Sequence, residues 1–137
     1  MSYLDINRGI LPSQQIGDFS ITAISDGYLG ASLDYLANIA PTEAVRLQLA
    51  AGISEPASIH INCYLVRGRG RTILIDAGAG GFKQWGGELL ANLALAGVQP
   101  SEIDTILLTH AHPDHIGGLL NAVGEIAFAN AELVVHQ

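Results

Sequence analysis

The chain has 137 residues, one domain's worth, and its 13 acidic against 6 basic residues leave a net charge of −7 with no basic cluster beyond Arg67-Gly68-Arg69-Gly70-Arg71. That balance excludes nucleic acid as a partner, because a phosphate backbone is held by lysine and arginine. Hydrophobic residues make up 49% and charged residues 14%, against about 25% charged in an ordinary soluble domain. An alanine- and glycine-rich composition explains this most simply, and a large face packed on a partner or on further chain is the alternative.

The start, Met1-Ser2-Tyr3-Leu4-Asp5, has no basic stretch leading into an apolar core, as a secretory leader would. No apolar run nears the roughly 20 residues of a membrane helix, so the sequence reads as soluble and cytoplasmic, without a membrane partner. Residues 18 to 25 alternate Phe19, Ile21 and Ala23 with polar neighbours before Asp26-Gly27, a half-buried strand running into a turn. Pro41-Thr42 opens a stretch with Val45 and Leu49 four apart and Gly52 placed to stop it, which predicts a short surface helix with Thr42 near its N-cap. Ile59 to Val66 and Thr72 to Asp76 are apolar and β-branched runs joined by the Gly/Arg turn, a hairpin with a loop longer than two residues. Cys63, the one cysteine, lies inside the first of these runs and reads as a buried small hydrophobe.

Ala77-Gly78-Ala79-Gly80-Gly81 is too rich in glycine for an element interior. It leads toward a helix over about Gly87 to Ala96, with Leu89, Leu90 and Leu93 on one face and Gly97 as its stop. Pro100-Ser101-Glu102 then re-enters the chain into Ile103 to Thr109, a strand buried on both faces. Gly117 to Val123 predicts a short helix and Glu132 to His136 a last strand. Strands alternating with helices after an antiparallel start give an α/β fold in a single domain, residues 1–137.

Residues 110 to 115 read His-Ala-His-Pro-Asp-His, directly after the strand Ile103 to Thr109. Imidazole nitrogen and carboxylate oxygen are ligands that suit zinc, iron or manganese. His110 and His112, two apart in an extended segment, project to one side and can grip one ion. Asp114 and His115 come from the next bend and can face a second ion beside it, and Asp114 can also orient the nucleophile and take its proton. Gly117-Gly118 follows, where the loop must turn sharply or where a substrate backbone could approach; ordinary freedom at a helix entry explains it equally well. Other candidates rank lower. His60 could line a pocket but is more simply satisfied by local hydrogen bonds. His136 reads as a strand-edge residue that could stand in as a ligand if two copies associate. Asp26 is explained by its turn, and Phe82 and Trp85 by packing as readily as by substrate contact.

Thr109-His110-Ala111-His112-Pro113-Asp114-His115-Ile116-Gly117-Gly118 resembles the signature of the metallo-β-lactamase superfamily, and Leu74-Ile75-Asp76-Ala77-Gly78 resembles that superfamily's strand ending in Asp-Thr-Gly, with Ala77 in place of the threonine. Within the superfamily, Gly17-Asp18-Phe19 through Asp26-Gly27, Asn62-Cys63-Tyr64-Leu65-Val66 and Phe128-Ala129-Asn130-Ala131 are most similar to the methyl parathion hydrolase and quorum-quenching lactonase branch. The resemblance implies the N-terminal half of an αββα sandwich, a mixed sheet flanked by helices. It implies two divalent ions, zinc first with iron or manganese as alternatives, held by His110, His112, Asp114 and His115. It gives Asp76 the place of a residue behind the ligands, one that keeps a ligand imidazole in its correct tautomer.

The implied function is hydrolysis of a small-molecule ester, lactone or phosphotriester-like centre by metal-activated hydroxide, with Asp114 as the catalytic carboxylate. In the family a further histidine, a bridging aspartate and a last histidine come from the C-terminal half, which this sequence lacks. A second expectation is therefore a catalytically incomplete half that binds metal weakly and assembles as a homodimer. A third is an iron-dependent oxidoreductase of the same superfamily.

Overall fold

The computed structural model describes residues 11–136; the reading of Met1 to Asp5 lies outside them. Six strands form one mixed sheet in sequence order: β1 (Ser13–Ile16), β2 (Phe19–Gly30), β3 (Ser58–Gly68), β4 (Arg71–Ile75), β5 (Thr105–Leu107) and β6 (Glu132–Val134). The first four pair antiparallel, and β4–β5 and β5–β6 are parallel. The helices are α1 (Pro41–Ala50), α2 (Leu89–Leu95) and the single turn α3 (Pro113–Ile116). This is the expected α/β meander that turns parallel once helical crossovers begin.

The core lies on one face of the sheet. Ile24 of β2, Cys63 and Leu65 of β3, Leu74 of β4 and Ile106 of β5 pack there with Leu89 and Leu93 of α2, Val98 and Ile103. Because strand side chains alternate, the opposite face carries Ile21, Ala23, Tyr64, Val66, Ile73, Ile75 and Leu107, and these are half-buried or exposed. Both faces of the sheet are thus apolar, and α2 packs on only one of them. Cys63 is fully buried and burial pushes its thiol pKa up, as its apolar surroundings led one to expect.

Several boundaries differ from the sequence reading, each for a local reason. The β3–β4 hairpin closes through two residues, Arg69 and Gly70, at φ 50° and 73°; positive φ at both is the twist-matched two-residue turn. α1 takes Ala40 rather than Thr42 as its N-cap, with Pro41 at the first helical position, where a missing N–H costs nothing. α2 starts at Leu89 because Gly86 and Gly87 take positive φ, and Leu90 turns outward, 40% exposed. β5 is only three residues long: its entry is a 3₁₀ turn at Pro100–Glu102, and after Leu108 the Thr109 N–H leaves the ladder for the Asp76 carboxylate. Thr105 and Ile106 are buried, but Leu107 is only half-buried.

Gly117 to Val123 forms a 3₁₀ turn at Gly117–Leu119 and then a loop bridged at Leu120 and Ile126, not a helix. The Asn121 side chain accepts from the N–H groups of Val123 and Glu125, offering the backbone a local alternative to helical bonds. The last strand stops at Val134, short of His136.

The largest departure is in β2. Asp26-Gly27 is not a turn: the strand runs on to Gly30, with the pairing to β3 shifted between Ser25 and Gly27. One extra residue in an antiparallel strand is a β-bulge, which bends the strand without ending it.

Candidate metal centre

β4 and β5 run parallel, so their C-terminal ends meet, and the two segments that carry polar chemistry leave from them side by side. Asp76 follows β4; Thr109 to His115 follow β5. Asp76 takes φ 61°, a left-handed conformation that costs on the order of 1 kcal/mol in a residue other than glycine. The turn aims its carboxylate, 5% exposed, at the neighbouring segment. There it accepts the Thr109 N–H at 2.8 Å on Oδ1 and the Thr109 hydroxyl at 2.8 Å on Oδ2. His115 Nδ1 also lies 2.8 Å from Oδ2.

A carboxylate that already accepts two donors can only accept again, so His115 donates its Nδ1–H to Asp76, which turns Nε2 toward the loop. There Nε2 lies 3.3 Å from Asp114 Oδ2. A ring nitrogen and a carboxylate oxygen so placed share a proton or a cation. His110 Nε2 and His112 Nδ1 are 3.1 Å apart, and the His110 ring lies 3.9 Å from that of His115, centroid to centroid. The loop thus gathers the three imidazoles and the carboxylate, as its spacing suggests, with Asp76 behind His115.

By type, this donor set fits a divalent ion: three imidazoles, one carboxylate, and a second carboxylate orienting a ring. The rings lie against one another rather than around a common point, and among the described residues no group of three or more His, Cys, Asp or Glu is arranged to hold a metal.

The glycines after the loop are required by close approach. A Cβ at Gly118 would collide with the Ala77 carbonyl oxygen, and one at Gly117 with that of Ala79. Backbone bonds stitch the same segments together: Ala77 N–H donates to His115 O at 2.9 Å and Gly118 N–H to Gly78 O at 3.1 Å. What requires glycine at 117 and 118 is thus the chain's own Ala77–Ala79 backbone, a cause the sequence reading did not name.

The remaining candidates fall elsewhere. His60 Nε2 is 2.7 Å from Ser25 Oγ, and its ring stacks on Tyr28 at 4.6 Å. Burial lowers its pKa, and Glu88 pulls the other way. His136 is exposed beyond β6. Trp85 packs on Leu29, Ile61 and Ala79, with Phe82 edge-on at 5.8 Å. Two residues matter more than their sequence positions suggest. Thr109 links Asp76 to the loop, with its hydroxyl 3.1 Å from His110 Nδ1. Asp26, read as a turn residue, is fully buried.

A family model for the metallo-beta-lactamase superfamily matches residues 59–131, from β3 through the histidine loop to the foot of β6. The chain belongs to the metallo-beta-lactamase superfamily. Among solved structures of this superfamily, hydrolase AbOPH is similar over 90% of the chain, with TM-score 0.78 and 35% identity, and the chain covers 43% of it. AidC, a dizinc quorum-quenching lactonase seen with its product, is similar over 90% of the chain, with TM-score 0.75 and 31% identity, again with 43% of it covered. Ribonuclease TTHA0252 of Thermus thermophilus is 43% identical over 58 residues, 42% of this chain and 12% of the ribonuclease. The chain thus spans less than half the length of these relatives. Within the described residues no helix is long and apolar enough to cross a membrane.

Proposed function

We propose that the chain carries the first metal-ligand loop of a metal-dependent hydrolase acting on an ester, lactone or phosphotriester-like centre. The observation behind this is the Asp76–His115–Asp114 arrangement: one carboxylate orients the imidazole through Nδ1, and Nε2 faces a second carboxylate at 3.3 Å. His110 and His112 would hold one divalent ion, zinc first, and Asp114 with His115 a second. When bound, such ions supply a water of lowered pKa and polarise the oxygen of the group under attack.

The chain's own residues do the rest. Asp76 and Thr109 orient the loop, and Asp114 orients the nucleophile and takes its proton at a carboxylate oxygen. AidC, a dizinc lactonase by its description, supports both the zinc and the lactone class. The test is elemental analysis after purification in excess zinc, together with hydrolysis of a lactone and of an aryl phosphotriester. Zinc is expected in the wild-type chain and lost in the His110→Ala/His112→Ala variant, and Asp114→Asn is expected to abolish turnover. A wild-type chain with no retained metal would sink the reading.

The apolar face opposite α2 favours a second reading alongside the first. Tyr64, Val66, Ile73, Ile75 and Leu107 form a sheet face of the kind that packs on another sheet. We propose that a second copy covers it as a homodimer with matched faces. Light scattering that gives a monodisperse monomer overturns this.

A further inference from the structure

We infer that Asp26, which lies outside the histidine loop, is the positioning residue that sets this loop from behind. The β2 bulge makes Asp26 the extra residue of its strand, and Asn92 of α2 caps the freed Ser25 carbonyl at 2.7 Å. The Asp26 carboxylate is 0% exposed and, among the described residues, its partners are backbone amides from two separate segments. Oδ2 accepts the Ala79 N–H at 2.7 Å, and Oδ1 accepts those of Gly87 at 3.0 Å and Leu89 at 2.9 Å. Gly78 and Gly86 lie so close that a Cβ on either would collide with this carboxylate.

The Ala79 side of this node is the segment on which the metal loop rests. Ala77 and Gly78 exchange backbone bonds with His115 and Gly118, and the carbonyls of Ala77 and Ala79 abut Gly118 and Gly117. Asp26 and Gly118 border the same hollow of about 150 Å³. The path from Asp26 to His115 is therefore one hydrogen bond, a three-residue strap and a second hydrogen bond. The other two acceptances, from Gly87 and Leu89, hold the start of α2 and have no part in that path.

This asymmetry makes the role separable from mere stability. In Asp26→Asn the amide oxygen satisfies the two donors from Gly87 and Leu89, and the amide nitrogen is left facing the Ala79 N–H, donor against donor. The experiment is amide hydrogen exchange on the 137-residue chain and on Asp26→Asn, with ¹⁵N-detected tautomer state of His115 and zinc titration of both. Protection at Ala77, Ala79 and Gly118 is expected to fall about tenfold, the loss of one net hydrogen bond. Leu89 and Gly87 should keep theirs, and His115 should show mixed tautomers.

The zinc part rests on the proposed function, and there the affinity falls about tenfold in the variant, as when support behind a ligand is removed. A proportional loss of protection at every amide, α2 included, overturns the inference in favour of a general structural role, as does an unchanged Ala79 and Gly118. Should the wild-type chain take up no zinc, the proposed function falls while the exchange pattern still decides the role of Asp26. Asp26→Ser, smaller and able to accept from one amide, keeps the test open if the asparagine variant does not fold; protection restored on the Ala79 side alone, with His115 in one tautomer, is the supporting result, and unrestored tautomer order despite Ala79 protection overturns it.

Discussion

Asp26 and Asp76 are carboxylates withdrawn from water at the same end of one sheet, 0% and 5% exposed, and they are satisfied in opposite ways. Asp76 spends its acceptors on a neighbouring segment's side chains and one amide: the Thr109 hydroxyl and N–H and the His115 ring. Asp26 spends all of its own on amides of the main chain. The first arrangement orients an imidazole and the second builds the frame around it. A buried carboxylate therefore declares its role by whether its donors can be replaced by substitution or belong to the backbone.

The sharpest way to break this comparison is truncation. Asp26→Ala leaves three N–H groups without acceptors at about 1–3 kcal/mol each, a large share of the roughly 5–15 kcal/mol that holds a domain together. The expected outcome in urea unfolding monitored by circular dichroism is loss of the cooperative transition. Asp76→Ala should keep that transition with a loss of about 2–3 kcal/mol, from the Thr109 amide and from alanine forced to positive φ. Its larger effect is on zinc affinity, down about 10–100-fold by calorimetry. Equal destabilisation by the two variants would collapse the distinction.

Gly118→Ala tests the contact between frame and loop. Its Cβ meets the Ala77 carbonyl oxygen, so about 1–3 kcal/mol of overpacking is expected in the same unfolding assay. Smaller effects separate the surroundings of the two carboxylates by pH. His60, opposite Tyr28 just past the Asp26 bulge, has a pKa lowered by burial and partly restored by Glu88. The unfolded chain therefore binds this proton more readily than the folded one, and stability falls as pH drops below about 6.5, the unfolded value. His60→Gln should flatten that fall.

Asp104, on the side of β5, is held at about 2 by the Thr72 N–H, the Thr105 hydroxyl and Arg71. Its contribution is present above about 4 and is lost as pH falls toward about 2. It lies at the surface, so Asp104→Asn should give the smallest change of the set, confined to that acid window of a pH-dependent melting series.

How legible each region was follows from its physics. The histidine loop could be read as one cluster because its three imidazoles and carboxylate lie within six consecutive residues, and nothing structural favours three imidazoles in so short a span. The β3–β4 hairpin and the glycine stops at Gly52 and Gly97 were legible for the same reason, as local patterns with local causes. Asp26 was not, because Ser-Asp-Gly is ordinary turn chemistry, and the donors that make it a bulge residue lie 53 to 63 positions away. The short β5 was also hidden: its apolar run continues to Leu108, and only the Asp76 carboxylate, 33 positions earlier in the chain, draws Thr109 off the ladder.

The sequence by itself therefore determined the α/β class, the superfamily and the set of polar groups at the end of β5, since periodicity and ligand spacing act over a few residues. Only the tertiary structure decided which carboxylate orients His115 and which holds the frame. A buried carboxylate takes its character from the donors that surround it, and here those donors arrive from segments that meet only when the sheet has formed.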